Sequence, residues 1–277
     1  MIKRWSATSG FPEKSKIFQG ANSMTIIFIL LGSVIFLFII VPLLKMIVAS
    51  DPKLLLETAL DSEVIASIGL TLYAALIATA IGFLLGVPLA YLLARFDFPG
   101  KNLVEGLIDI PIVVPHIAAG MALLFVFGRS FLVGKVFNLI GIDFFDSIAG
   151  IVVAMLFVSV PFLIDSAKEG FKKVDVRLEK VSRSLGASPW QAFFKISLPL
   201  AWRSIAAGGV MMWARGISEF AAVIILAYHP MVASTLIYER FETYGLDYAR
   251  PVAVLLILVC LISFIVLRLV VYRGQKT

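Results

Sequence analysis

Six apolar stretches, each long enough to cross a lipid bilayer as a helix, occupy most of this chain, and no other feature limits its fold so tightly. They run over about 25–48, 65–94, 103–127, 148–164, 205–228 and 251–271. A hydrocarbon core about 30 Å thick needs roughly 20 helical residues. A helix also satisfies its own backbone hydrogen bonds where no water can. The short alternating segments of a β-barrel do not occur in the sequence. The fourth stretch is short, and the second is long enough to tilt or to begin outside the core. Composition agrees: the 277 residues are 60% hydrophobic and 15% charged, with a mean hydropathy of +1.00. A soluble domain is about half apolar and about a quarter charged, so lipid must cover part of this apolar surface. The first run is longer than a signal-peptide core and has no small-residue cleavage motif after it, so a retained helix is expected.

Charge placement sets the expected orientation. The formal net charge of +6 would suit a nucleic-acid binder, but the charges lie in short segments between apolar runs, as in a membrane protein facing anionic lipid. No nucleic-acid partner is expected. With the N-terminus inside, the cytoplasmic side carries Lys3, Arg4, Lys14 and Lys16, then Arg95 and Lys101. It also carries Lys168, Lys172, Lys173, Arg177, Lys180, Arg183, Lys195 and Arg203, and finally Arg268, Arg273 and Lys276. The outer side has Lys45, Lys53, Arg129, Lys135, Arg240 and Arg250, and Arg215 falls within a span. The positive-inside rule therefore places both termini in the cytoplasm of a multi-pass protein of the cell membrane.

One cytoplasmic segment, 165–203, is about 40 residues long, charged and still amphipathic. Val174, Leu178, Val181 and Leu185 recur there at helical spacing between charged residues. Such a helix either lies on the membrane surface or offers a docking surface to a soluble partner.

The same segment carries Glu179-Lys-Val-Ser-Arg183-Ser184-Leu-Gly186-Ala187-Ser188-Pro189-Trp190-Gln-Ala-Phe193-Phe194-Lys-Ile196-Ser-Leu198-Pro199. Gly186 allows a turn between two short helices. Ser188 and Pro189 read as the N-cap and first residue of a helix over about 190–195. Pro199 helps to set where the fifth span begins. Trp190, Phe193 and Phe194 are then available as anchors for a partner's pocket, or pack beneath the membrane interface. The spacing of Gly186, Ile196, Leu198 and Pro199, in a cytoplasmic loop before the penultimate span, resembles the EAA loop of ABC importer permeases. The triplet itself departs from the pattern: Lys180, Val181 and Ser182 stand at the aligned positions, with Glu179 one residue early.

The resemblance extends from about Ser67 through Gly86-Val-Pro-Leu-Ala-Tyr-Leu-Leu-Ala-Arg95. It implies a type-1 transmembrane domain of five helices over 65–271, with its coupling loop at 165–204. A first helix over 25–48 lies outside that core, and cytoplasmic tails cover 1–24 and 272–277. Leu107-Ile-Asp109-Ile-Pro111-Ile-Val-Val-Pro115-His116-Ile-Ala-Ala-Gly120 is similar to the third span of molybdate, tungstate and sulfate permeases. Ala214-Arg215-Gly-Ile-Ser-Glu219-Phe-Ala, Ala227-Tyr-His229-Pro230 and Tyr238-Glu-Arg-Phe are similar to the molybdate/tungstate branch.

Within the spans, Arg215 and Glu219 are four apart and share a helix face. Charges at membrane depth mark either a pathway or a self-neutralising pair that locks two helices. Pro111 and Pro115 each remove a backbone donor, so a kink near Asp109 is either a gate element or a packing device. Gly120 and Met121 are candidates to line a pathway. His116 and His229, without carboxylates at ligand spacing, do not read as a metal site. Cys260, the single cysteine, excludes an intrachain disulfide and a Cys-rich metal site. The sequence holds no Walker A, HExxH or nucleophile-elbow pattern.

The expected molecule is all-α, a six-span type I ABC importer permease without a catalytic site or bound cofactor. The resemblance implies a homodimer, two ATPase subunits below that bind ATP and Mg, and an extracytoplasmic molybdate/tungstate-binding protein above, docking on outer loops 51–63, 129–147 and 230–250. Two alternatives stay open: a permease for sulfate or another small solute, and an ion-gradient carrier or membrane-embedded enzyme.

Overall fold

The computed structural model describes residues 23–273. The expected tails, 1–24 and 272–277, fall almost wholly outside the described residues. The chain divides into two units at Ala49. The first contains α1 (Ser23–Val48), whose 26 residues are apolar on every face. At 1.5 Å per residue that is about 39 Å, enough to span a bilayer.

The second unit begins with α2 (Pro52–Leu60) and α3 (Ser62–Arg95), then α4 (Lys101–Val113), α5 (His116–Phe127) and α6 (Leu132–Asn138). It continues through α7 (Ile148–Lys173), α8 (Val176–Ser184), α9 (Pro189–Ala192) and α10 (Leu198–Ile217), and ends with α11 (Ala221–Leu226), α12 (Ala233–Tyr244) and α13 (Leu246–Arg273). Side-chain carboxylates cap the starts of α2, α3 and α8: Asp51 accepts from Lys53 N, Asp61 from Glu63 N and Asp175 from Arg177 N.

Helices α3, α7 and α10 form the centre. One buried cluster joins Ala74, Ala75 and Ala78 of α3 to Ile151, Met155 and Val158 of α7 and Trp213 and Ile217 of α10. A second, nearer the expected cytoplasmic side, joins Val87, Ala90 and Leu93 to Leu163, Ala167 and Phe171 and to Ile205 and Met212. The small residues let the helices approach closely. A Cβ on Gly82 would lie 2.6 Å from Met212 Sδ, and one on Gly209 would lie 2.4 Å from the Phe83 ring. At the start of α3, Val64, Leu236 and Val252 join α3, α12 and α13, and Arg240 ties α12 to Asp61 at 2.6 Å and Glu63 at 3.0 Å.

Two expected spans are not continuous helices. Among the described residues, four helices are long and apolar enough to cross a membrane, and up to five crossings result if α4 and α5 together make one. The third expected stretch, 103–127, turns by 113° between α4 and α5. Pro115 is the cause: it has no N–H to offer Pro111, and it holds Val114 in an extended conformation (φ −68°, ψ 134°). Pro111 does not break the chain and is buried inside α4. The fifth expected stretch, 205–228, begins earlier, at Leu198, and breaks at 218–220 between α10 and α11.

Gly120 of α5 brings the two short distal helices together. A Cβ there would lie 2.9 Å from Ala222 Cα and 2.9 Å from Ile225 Cβ of α11. Gly120→Val is therefore expected to lower stability by about 1–3 kcal/mol through overpacking, read as a lower unfolding temperature in detergent. Gly106→Ala, which meets open space, is expected to be neutral or stabilising by about 0.5–1 kcal/mol.

Candidate functional site

The segment after α7 is built around a buried carboxylate. On α8 the residue turned inward is Glu179, while Leu178, Val181 and Leu185 are exposed, the last at 83%. The helix is inside out relative to one packed on a hydrophobic core. Glu179 Oε1 accepts from Arg95 Nε at 2.8 Å and from Ser197 Oγ at 2.7 Å, and Oε2 accepts from the Tyr91 hydroxyl at 3.0 Å. Arg95 Nη2 lies 2.7 Å from the same carboxylate and also donates to the Val174 carbonyl. One carboxylate thus joins the end of α3, the start of α8 and the foot of α10. Burial opposes its charge, but the donors Ser197, Arg95 and Tyr91 outweigh burial and hold the carboxyl below the usual glutamate range.

Leu185–Ala187 make the turn out of α8. Gly186 there has φ +93°, a left-handed conformation that costs an L side chain about 1–2 kcal/mol. Ser188 and Gln191 form a reciprocal capping box at the start of α9, with Pro189 at its first position. The short helix does not end before the next span. Leu198 N–H donates to the Phe193 carbonyl, five residues back, so 193–197 form one wide π turn leading directly into α10. Pro199, which has no N–H, sits at the start of α10. The three aromatics divide. Trp190 and Phe194 are exposed and stacked, with centroids 5.9 Å apart. Phe193 turns inward onto Tyr91 (4.9 Å) and Phe171 (6.0 Å) and is half-buried. Arg183, Trp190, Phe193 and Phe194 also line an apolar cavity of about 580 Å³ between this segment, the end of α3 and the foot of α10.

The second cluster lies where both interrupted spans break. Arg215 is on the last turn of α10, Glu219 in the break, and His116 is the first residue of α5. Glu219 Oε2 lies 2.9 Å from Arg215 Nη2 and 3.1 Å from His116 Nδ1, and its Oε1 accepts from Ala222 N at 2.8 Å. Arg215 Nη2 is also 2.9 Å from His116 Nε2. Nη2 is equally close to His116 Nδ1, at 2.8 Å, so it faces the ring and not one nitrogen's lone pair, and Glu219 Oε2 is held by these charge contacts without a hydrogen-bond partner among the described residues. The Glu219 carbonyl accepts from Ser234 Oγ of α12 at 3.0 Å.

The other pathway candidates do not join this group. Asp109 lies against Asp165, beside Lys168, whose Nζ is 3.0 Å from Asp165 and 3.4 Å from Glu105. Pro111 and Gly120 are buried. His229 is in the connection before α12, where its N–H and that of Tyr228 donate to Asp146.

The profile of the family described as the binding-protein-dependent transport system inner membrane component matches residues 82–276. The chain belongs to this family. It is 46% identical over 251 residues to the molybdate/tungstate transport system permease protein WtpB of Thermococcus kodakarensis, covering 90% of this chain and 96% of that one. The protein of the same name from Pyrococcus furiosus is 46% identical over 248 residues, covering 89% and 94%. A bacterial alginate ABC transporter, solved with an alginate-bound periplasmic protein, shares the fold. Its TM-score is 0.71 at 19% identity, covering 92% of this chain and 96% of that one.

In this permease, a multi-pass membrane protein, the sequence motif marked the segment 179–199 but not the contacts that anchor it. Glu179 stood out only as a residue one place out of register, and its partners Arg95 and Tyr91 are more than 80 positions away. The i,i+4 spacing did signal the Arg215–Glu219 pair, while nothing in the sequence joined His116 to it. Glu179→Ala leaves the guanidinium of Arg95 buried without its partner, and should destabilise by about 3–5 kcal/mol, seen as a lower unfolding temperature and faster proteolysis of 176–197. Because the folded carboxyl is held low, its stabilisation is complete above the unfolded value of about 4.3. It is lost as pH falls through the lower folded value, so the penalty of the substitution should shrink on acidification through that window.

Proposed function

We propose that this permease carries molybdate or tungstate across the membrane in an ATP-driven importer. The observation that supports it best is the inverted α8. Its leucines face outward beside the stacked Trp190 and Phe194, while a buried ion pair holds the helix rigidly to α3. An exposed apolar patch on a fixed support is a docking surface, and two ATPase subunits, binding ATP and Mg, are its proposed occupants in a homodimeric permease. The continuous path from α9 through the π turn into α10 is then the route by which movement of the ATPases reaches the spans.

The domain assignment proposed with this reading is a type-1 core over 65–271, its coupling segment at 165–204, and a first helix over 25–48 outside the core. Both termini are cytoplasmic, and an extracytoplasmic molybdate/tungstate-binding protein delivers the anion to the outer segments 51–63, 129–147 and 230–250. The family's description and the names of the relatives support an importer of this kind over a gradient-driven carrier.

The test is uptake into proteoliposomes containing the permease, its ATPase and its binding protein. Tungstate or molybdate uptake is expected to require all three components and ATP, with sulfate a poor substrate. Gly186→Trp meets open space but a left-handed backbone, and should sever coupling, lowering uptake at least tenfold. ATP-independent uptake by the permease alone would sink the reading.

A further inference from the structure

We propose that Arg215 and His116 form a transit site for a tetrahedral oxyanion dianion, and that Glu219 is its resident competitor, holding the two groups between passages. The inference rests on the oxyanion-import reading above and adds to it the residues that meet the anion and the device that releases it.

Three observations carry it. First, exposure is unequal: the side chains of His116 and Arg215 are 32% and 21% exposed, and that of Glu219 is 1% exposed. Beside them, Pro115 and Ser218 are exposed at the two helix breaks. An anion reaching this surface meets the guanidinium and imidazole first, with the carboxylate behind them. Second, the carboxylate is fixed and the cation is not. Glu219 is tied by its Oε1 to Ala222 N and by its backbone carbonyl to Ser234 Oγ. Arg215 has a long side chain whose remaining side-chain contact is a 3.3 Å bond from Nη1 to Ser218 Oγ. The guanidinium can swing from Glu219 to an anion without disturbing the helix breaks. Third, the chemistry matches. Guanidinium presents paired donors at the spacing of two oxygens of a tetrahedral oxyanion, and the imidazole adds an N–H once it is released from Glu219.

The competitor explains why such a site does not trap its ligand. An unpaired arginine at membrane depth is costly, and would hold a dianion too firmly for passage. With Glu219 in place the oxyanion gains only the difference between two pairings, so binding is weak and reversible, as conduction requires.

The test is equilibrium binding of radiolabelled tungstate to the purified full-length permease in detergent, without ATPase or binding protein, with sulfate and phosphate as competitors. Glu219→Gln removes the competitor's charge and is expected to tighten tungstate binding at least tenfold. The double variant Glu219→Gln/Arg215→Gln is expected to lose that gain. In the assembled transporter, Arg215→Lys keeps the charge but not the fork, and should lower tungstate uptake several-fold while ATP hydrolysis stimulated by the binding protein persists. Should Glu219→Gln not be recovered folded, this last comparison decides the matter. Unchanged tungstate binding in Glu219→Gln, a gain that survives in the double variant, or wild-type uptake by Arg215→Lys would each overturn the transit site and leave the trio as a helix lock. Failure of the wild-type transporter to take up tungstate would instead overturn the import reading itself.

Discussion

Backbone polar groups at membrane depth have no water to turn to, and two helices of this permease are interrupted where that constraint is most severe. Glu219 lies where the two interruptions meet. Its carboxylate accepts from the first turn of α11, reaches Arg215 at the end of α10 and His116 at the start of α5, and its carbonyl accepts from α12. Gly120 permits the close packing of α5 on α11 beside these breaks. The interruptions are thus part of a built structure in which irregular backbone is supported by other protein groups.

A second buried carboxylate does comparable work at the end of α3. Glu179 collects donors from α3 and from the foot of α10, and this is what turns α8 with its leucines outward. The apolar stripe of Leu178, Val181 and Leu185 is thereby left exposed. The ion pair need not add net stability relative to an apolar contact; it selects one orientation of α8 over its inverse.

These two centres lie at opposite ends of one helical path. From Pro189 the chain runs through the π turn and α10 to Arg215 without leaving helical geometry, and α10 itself is about 30 Å long. A displacement at the exposed Trp190 and Phe194 therefore has a continuous, stiff connection to the break holding Glu219. This is a physical linkage between an exposed aromatic pair and a charged cluster, preceded by the left-handed turn at Gly186.

The sequence by itself determined the membrane class, the apolar stretches, the amphipathic cytoplasmic segment and the motif at 179–199, because hydropathy, periodicity and turn chemistry are local. It also signalled the Arg215–Glu219 pair, which one helix turn brings together. It did not determine which proline breaks the third stretch, since Pro111 and Pro115 look alike until helix packing accommodates one and not the other. Nor did it show that the fifth stretch is divided, because the break at 218–220 carries neither proline nor glycine and is held by contacts to other helices. Above all, only the tertiary structure brought Arg95, Tyr91 and Ser197 to Glu179, and His116 to Arg215. Burial of a charge is decided by what surrounds it in space, and those neighbours come from helices far apart along the chain.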